Sequence, residues 1–88
     1  MHPVGIGIGS NQKNPILQIQ RAVEILERSF PWTAFRTSSL YASSPVGPIA
    51  QDDFVNAVCT GDLTWNPREI LKVLQSIEVE MGRVRAER

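Results

Sequence analysis

Val4, Ile6 and Ile8 alternate with Gly5, Gly7 and Gly9, and the alternation stops at Ser10-Asn11. A period of two predicts a strand over residues 3–9 with one apolar face and one bare glycine face open to close contact. Asn14-Pro15 then reads as a helix cap followed by a first-turn proline. Ile16, Ile19, Val23, Leu26 and Phe30 follow at spacings of three and four, the mark of an amphipathic helix that Pro31 closes. From about Ala34 to Ala42 the chain is rich in Thr, Ser, Phe and Tyr, which predicts a second, partly exposed strand.

Two prolines, a glycine and two adjacent aspartates make Ser43–Asp53 an irregular loop, and loops of that length are commonly functional or disordered. Phe54–Leu63 is the next strand, with Phe54, Asn56, Val58 and Thr60 on one face and Val55, Ala57 and Cys59 on the other. A second helix starts as the first did. Asn66 caps it, Pro67 opens it, Glu69 stands where a capping-box carboxylate belongs, and Ile70, Leu74, Ile77 and Met81 form its apolar stripe. Gln75 and Glu78 flank that stripe and Gly82 ends the helix.

The order is strand-helix-strand, then strand-helix. Two strand-helix-strand halves build a ferredoxin-like sheet, so the expectation is a single α+β domain over residues 1–88, ferredoxin-like, with its last sheet strand missing. That strand would lie beside the first one. Residues 3–9 are then expected to present an unpaired, Ile-rich edge and to pair with a second copy of the chain as a homodimer.

Composition narrows the partners. The chain of 88 residues is 42% hydrophobic and 20% charged, a balance that supports one core of modest size rather than a disordered segment. Nine basic residues offset nine acidic ones, which argues against general attraction to nucleic acid or an anionic membrane. Cys59 is the only cysteine and sits in an apolar run, so it is expected to be a buried small hydrophobe in a reducing, cytoplasmic setting. The apolar stretch at the N-terminus is broken by glycines and too short for a signal or a membrane span.

No catalytic motif emerges from the residues alone. Gly5-Ile-Gly7-Ile-Gly9 is not a dinucleotide fingerprint, because its third glycine comes one residue early and it lies within the strand that should precede the motif. Three features converge instead: the proline-glycine loop, Asn56 beside Phe54, and three arginines against one glutamate between Gly82 and Arg88. An aromatic ring next to an amide suits a flat heterocycle, although Phe54 as core and Asn56 bonded to loop backbone is an equal alternative. The arginines suit phosphate, and they equally suit a solvated terminus.

Ile8-Gly9-Ser10-Asn11, then Ser38–Gly47 with Ser43-Ser44-Pro45-Val46-Gly47, then Phe54-Val55-Asn56-Ala57, then Ile77-Glu78 and Gly82-Arg83-Val84-Arg85, occur in register over nearly the whole chain. In that order and spacing the sequence resembles the N-terminal half of the 6-hydroxymethyl-7,8-dihydropterin pyrophosphokinases, cytosolic folate-pathway transferases that move pyrophosphate from ATP to a pterin. The resemblance implies that Ser43, Ser44, Val46, Phe54 and Asn56 bind the pterin and that Gln75, Glu78, Arg85 and Arg88 lie near the nucleotide. It further implies a catalytic role for Arg83 and Arg85 on the phosphates.

ATP and Mg2+ are implied as co-substrate and cofactor. The family's Asp-x-Asp metal pair lies beyond this stretch, so no metal ligand is assigned and the 88 residues alone are expected to be inactive. Ser43 stands where threonine is more usual, which keeps a hydroxyl. The alternative is a non-catalytic pterin-binding or self-associating module; a generic RNA-binding domain fits poorly with the neutral charge.

Overall fold

Both faces of the first strand are used in the computed structural model, which describes residues 1–44, 47 and 52–81 and the backbone of 85–87. This strand, β1 (His2–Ser10), turns Val4, Ile6 and Ile8 into the core and leaves its glycines on the opposite face. Helix α1 (Pro15–Ser29) follows, then β2 (Thr33–Thr37), β3 (Tyr41–Ser43), β4 (Phe54–Leu63), α2 (Pro67–Met81) and β5 (Arg85–Glu87). The fold is α+β, an antiparallel sheet with two helices, compatible with a ferredoxin-like arrangement. Its strand order is β2-β4-β1-β5, with β3 also paired to β4.

Helices cover the apolar face. Ala57, Cys59 and Leu63 of β4 join the β1 side chains against Ile19, Ala22 and Leu26 of α1 and Ile70, Leu74 and Ile77 of α2. Full burial of each large aliphatic side chain contributes about 1.5–3 kcal/mol. Cys59 is fully buried, as its apolar run predicts. The stripe expected on α2 is the observed one, with Met81 at its margin.

The stripe expected on α1 is rotated. Ala22 and Ile25 lie inside with Ile19 and Leu26, whereas Val23 is half-buried and Ile16 is 52% exposed. Ile16 lies about a third of a turn from Ala22 around the helix axis, too far to reach the same surface. Ala22, a small residue, marks the centre of the contact.

The expected strand from Ala34 to Ala42 is two strands with Ser38 between them. Ser38 holds the gap closed, its N–H donating to the Val58 carbonyl and its Oγ accepting from the Val58 N–H, both at 2.8 Å. β2 carries a register shift between Thr33 and Arg36, where Ala34 takes a left-handed φ of 56°.

One expectation is corrected at the sheet edge. β5 pairs with β1 through Gly7↔Glu87, Ile8↔Ala86 and Gly9↔Arg85, so a short strand occupies the place expected to be empty. The open edge argued from the sequence is thereby reduced to the part of β1 before Gly7. Gly82, the expected helix stop, lies outside the described residues, as does most of the Ser43–Asp53 loop.

Candidate functional site on the open sheet face

Strand alternation decides which side chains share the face that the helices leave free. On that face Gly9 is paired with Asn56, and Asn56 in turn with Tyr41, so the three form one row across β1, β4 and β3. Ser43↔Phe54 forms the next row. A recess of about 270 Å³ opens there, lined by Gly7, Ile8, Gly9, Tyr41, Ser43, Phe54 and Asn56. Glycine alternation is what makes the recess, because β1 has no side chains to fill it.

Asn56 is held by its amide nitrogen. Nδ2 donates to Ser43 Oγ at 2.8 Å, to the Tyr41 carbonyl at 3.3 Å and to the Phe54 carbonyl at 3.4 Å. Two of the three are backbone acceptors, so the amide has one satisfactory orientation. Phe54 is half-buried and its ring edge lies over Gly9, where a Cβ would meet Cδ1 at 3.8 Å. Phe54 therefore belongs to the open face and not to the core.

No charged side chain lines the recess among the described residues, which suits a neutral ring read by hydrogen bonds and stacking. Among the described residues there is also no group of three His, Cys, Asp or Glu able to hold a metal ion.

Of the residues expected to contact the pterin, Ser43, Phe54 and Asn56 come together here. Ser44 is exposed just beyond β3, and Val46 lies outside the described residues. Gln75 and Glu78 are on α2, away from this recess; Gln75 is exposed in a shallow depression with Lys72, Ser76 and Val79, and Glu78 is half-buried. Arg83 and Arg88 lie outside the described residues, while the Arg85 backbone is paired with Gly9 on the side of β1 away from Asn56. Gly7, Gly9 and Tyr41 were not expected at the site. Their signal was in the sequence, since glycines alternating with core residues must face the other way.

The stretch of chain that holds these residues also matches known proteins. The model of the family described as 7,8-dihydro-6-hydroxymethylpterin-pyrophosphokinase matches residues 5–88. The chain is similar to proteins named 2-amino-4-hydroxy-6-hydroxymethyldihydropteridine pyrophosphokinase. The Pseudomonas aeruginosa protein is 43% identical over 82 residues, covering 93% of this chain and 51% of the relative. The Haemophilus influenzae protein is 40% identical over 83 residues (94% and 52%), and the Bacillus subtilis protein 35% over 80 residues (91% and 48%). The chain spans about half the length of these relatives. On the family match across 5–88, it belongs to the 7,8-dihydro-6-hydroxymethylpterin-pyrophosphokinase family.

Proposed function

We propose that the chain supplies the pterin-binding half of a folate-biosynthesis enzyme that transfers pyrophosphate from ATP to 6-hydroxymethyl-7,8-dihydropterin. The observation that carries this reading is the meeting of Ser43, Phe54 and Asn56 in one recess floored by Gly7 and Gly9, with no charged side chain lining it among the described residues. Phe54 stacks on the pterin ring, Asn56 reads its polar edge, and Ser43 with the following Ser44 and Val46 encloses it.

In the reaction the pterin hydroxymethyl oxygen attacks the β-phosphorus of ATP. The bond from that phosphorus to the α–β bridging oxygen breaks, AMP leaves and the hydroxyl proton is lost. Arg83 and Arg85 offset charge on the phosphate oxygens, with Arg88, Gln75 and Glu78 on the nucleotide side. The pairing of Arg85 with Gly9 supports this arrangement, since it brings the middle of the three arginines to the strand bordering the recess. No step is assigned to magnesium, for which the described residues offer no ligand set.

The chain binds pterin and works in the cytoplasm. Among the described residues no helix is long and apolar enough to cross a membrane. Homodimerisation through β1 is retained only for the stretch before Gly7, and a monomeric mass at micromolar concentration rules it out. The main test is calorimetric titration of the chain with 6-hydroxymethylpterin, with and without a non-hydrolysable ATP analogue. Binding in the absence of nucleotide supports the reading, and no heat at millimolar pterin overturns it.

A further inference from the structure

The Asn56 amide is anchored at one end only. Its nitrogen is engaged by Ser43 Oγ, Tyr41 O and Phe54 O, whereas its oxygen accepts no hydrogen bond from the described residues. Asn56 lines the recess, and its Oδ1 lies on the side of Gly9. What lies beneath it is bare backbone: a Cβ built on Gly9 would stand 2.9 Å from Oδ1 and 4.0 Å from Asn56 Cγ.

A contact of 2.9 Å between carbon and oxygen requires something to move. The amide could yield only by turning away from the Ser43 hydroxyl and the two carbonyls that hold Nδ2, which leaves those acceptors poorly matched. Gly5, on the same strand and face, has no such neighbour, for its Cβ would touch only Thr60 Cγ2 at 4.0 Å. The constraint is local to Gly9.

We infer that Gly9 is a positioning residue for Asn56: with Ser43 it fixes the amide with nitrogen toward the protein and oxygen toward the recess, so that the site selects a ring that donates an N–H. The inference rests on the pterin reading for the identity of that ring, and on the geometry alone for the orientation of the amide. It separates the roles of two side chains that both line the recess. Asn56 offers the acceptor to the ligand, and Ser43 holds the donor end in place. A ligand edge bearing only acceptors would face the Asn56 oxygen without a proton to share, which disfavours it.

The test has two readouts. In side-chain amide NMR spectra the Asn56 NH2 pair, assigned by its loss in Asn56→Ala, is expected to shift in Gly9→Ala and Ser43→Ala and to stay in place in Gly5→Ala. In calorimetry with 6-hydroxymethylpterin, Gly9→Ala should weaken binding roughly tenfold, the equivalent of one hydrogen bond. In an Asn56→Ala background Gly9→Ala should add nothing further, because the effect runs through the amide. An unmoved Asn56 pair in Gly9→Ala, or additive losses in the double variant, overturns the inference. Should the unaltered chain bind no pterin, the pterin reading fails and the NMR comparison still decides the role of Gly9. If Gly9→Ala alone does not fold, a folded Gly9→Ala, Asn56→Ala double variant supports the inference, because the close contact is with the Asn56 amide, and a double variant that also fails to fold overturns it.

Discussion

Trp32 packs directly over Gly61: a Cβ on that glycine would stand 2.5 Å from Trp32 Cε3 and 3.2 Å from the Thr33 carbonyl oxygen. The indole has little freedom to withdraw. Its Nε1 donates to the Leu26 carbonyl at 2.9 Å, and its ring meets Phe30 edge-on at 5.6 Å and Phe35 at 5.1 Å. Gly61→Ala is therefore expected to destabilise the chain by about 1–3 kcal/mol, the usual cost of overpacking. Thermal unfolding followed by tryptophan emission checks it, and an unchanged melting temperature would show that the aromatic cluster repacks without loss.

The two Asn-Pro helix starts look alike in sequence and differ in physics. Asn66 and Glu69 form the reciprocal capping box, Glu69 N–H to Asn66 Oδ1 at 3.0 Å and Asn66 N–H to Glu69 Oε1 at 3.3 Å. Asn14 makes no side-chain cap; it sits in the left-handed region at φ 58° and contributes its carbonyl to the Gln18 N–H. Asn66→Gly keeps little of the capping bond, while Asn14→Gly suits the backbone that is already there. The expected outcomes in chemical denaturation are a loss of about 1 kcal/mol for Asn66→Ala and a change within about 0.5 kcal/mol for Asn14→Gly. Asn14→Ala should cost about 1–2 kcal/mol through the left-handed φ.

These pairs mark what the sequence could tell and what it could not. Periodicity located both helices, the first and fourth strands and the buried Cys59, because alternation and three-four spacing follow directly from backbone geometry. It could not place the rotation of α1, since Ala22 carries too weak a hydrophobic signal to outweigh Ile16 and Val23. Nor could it divide residues 34–42 into two strands, as that break depends on the Ser38–Val58 hydrogen bonds with a strand twenty residues away. Phe54 and Asn56 were legible as an aromatic beside an amide, but whether they faced core or solvent followed only from their partners Ser43 and Gly9.

Cys59 gives a pH dependence whose sign is fixed by its surroundings. Burial pushes its thiol above the ordinary value, the Thr37 hydroxyl at 3.9 Å opposes that shift, and the charge of Glu27 adds to it. In the unfolded chain the thiol ionises near the ordinary cysteine pKa of roughly 8.5, and in the folded chain only at higher pH. The unfolded state therefore loses a proton first, and stability from this group, intact below that value, falls as pH rises through the window between the two. Cys59→Ala should remove this alkaline decline. Denaturation midpoints from pH 7 to 10 for both proteins would show it, and parallel curves would assign the decline to another group.

Phe54 offers the sharpest separation of ligand binding from folding. Its ring lies on the open face over Gly9 and outside the buried core, so truncation removes a stacking surface with little loss of packing. Stacking of a heterocycle on an aromatic ring contributes about 1–3 kcal/mol, which places the expected weakening of 6-hydroxymethylpterin binding in Phe54→Ala at about tenfold or more. Phe54→Tyr keeps the ring and should bind nearly as well as the unaltered chain. Tryptophan emission is the wrong readout here: Trp32 sits at Gly61, five residues along β4 from Asn56 and so about 17 Å away, and Trp65 packs with Phe30 at 5.2 Å. Calorimetry reports the pterin directly. Equal affinity of Phe54→Ala and the unaltered chain, with both melting normally, would remove stacking from the account of this pocket.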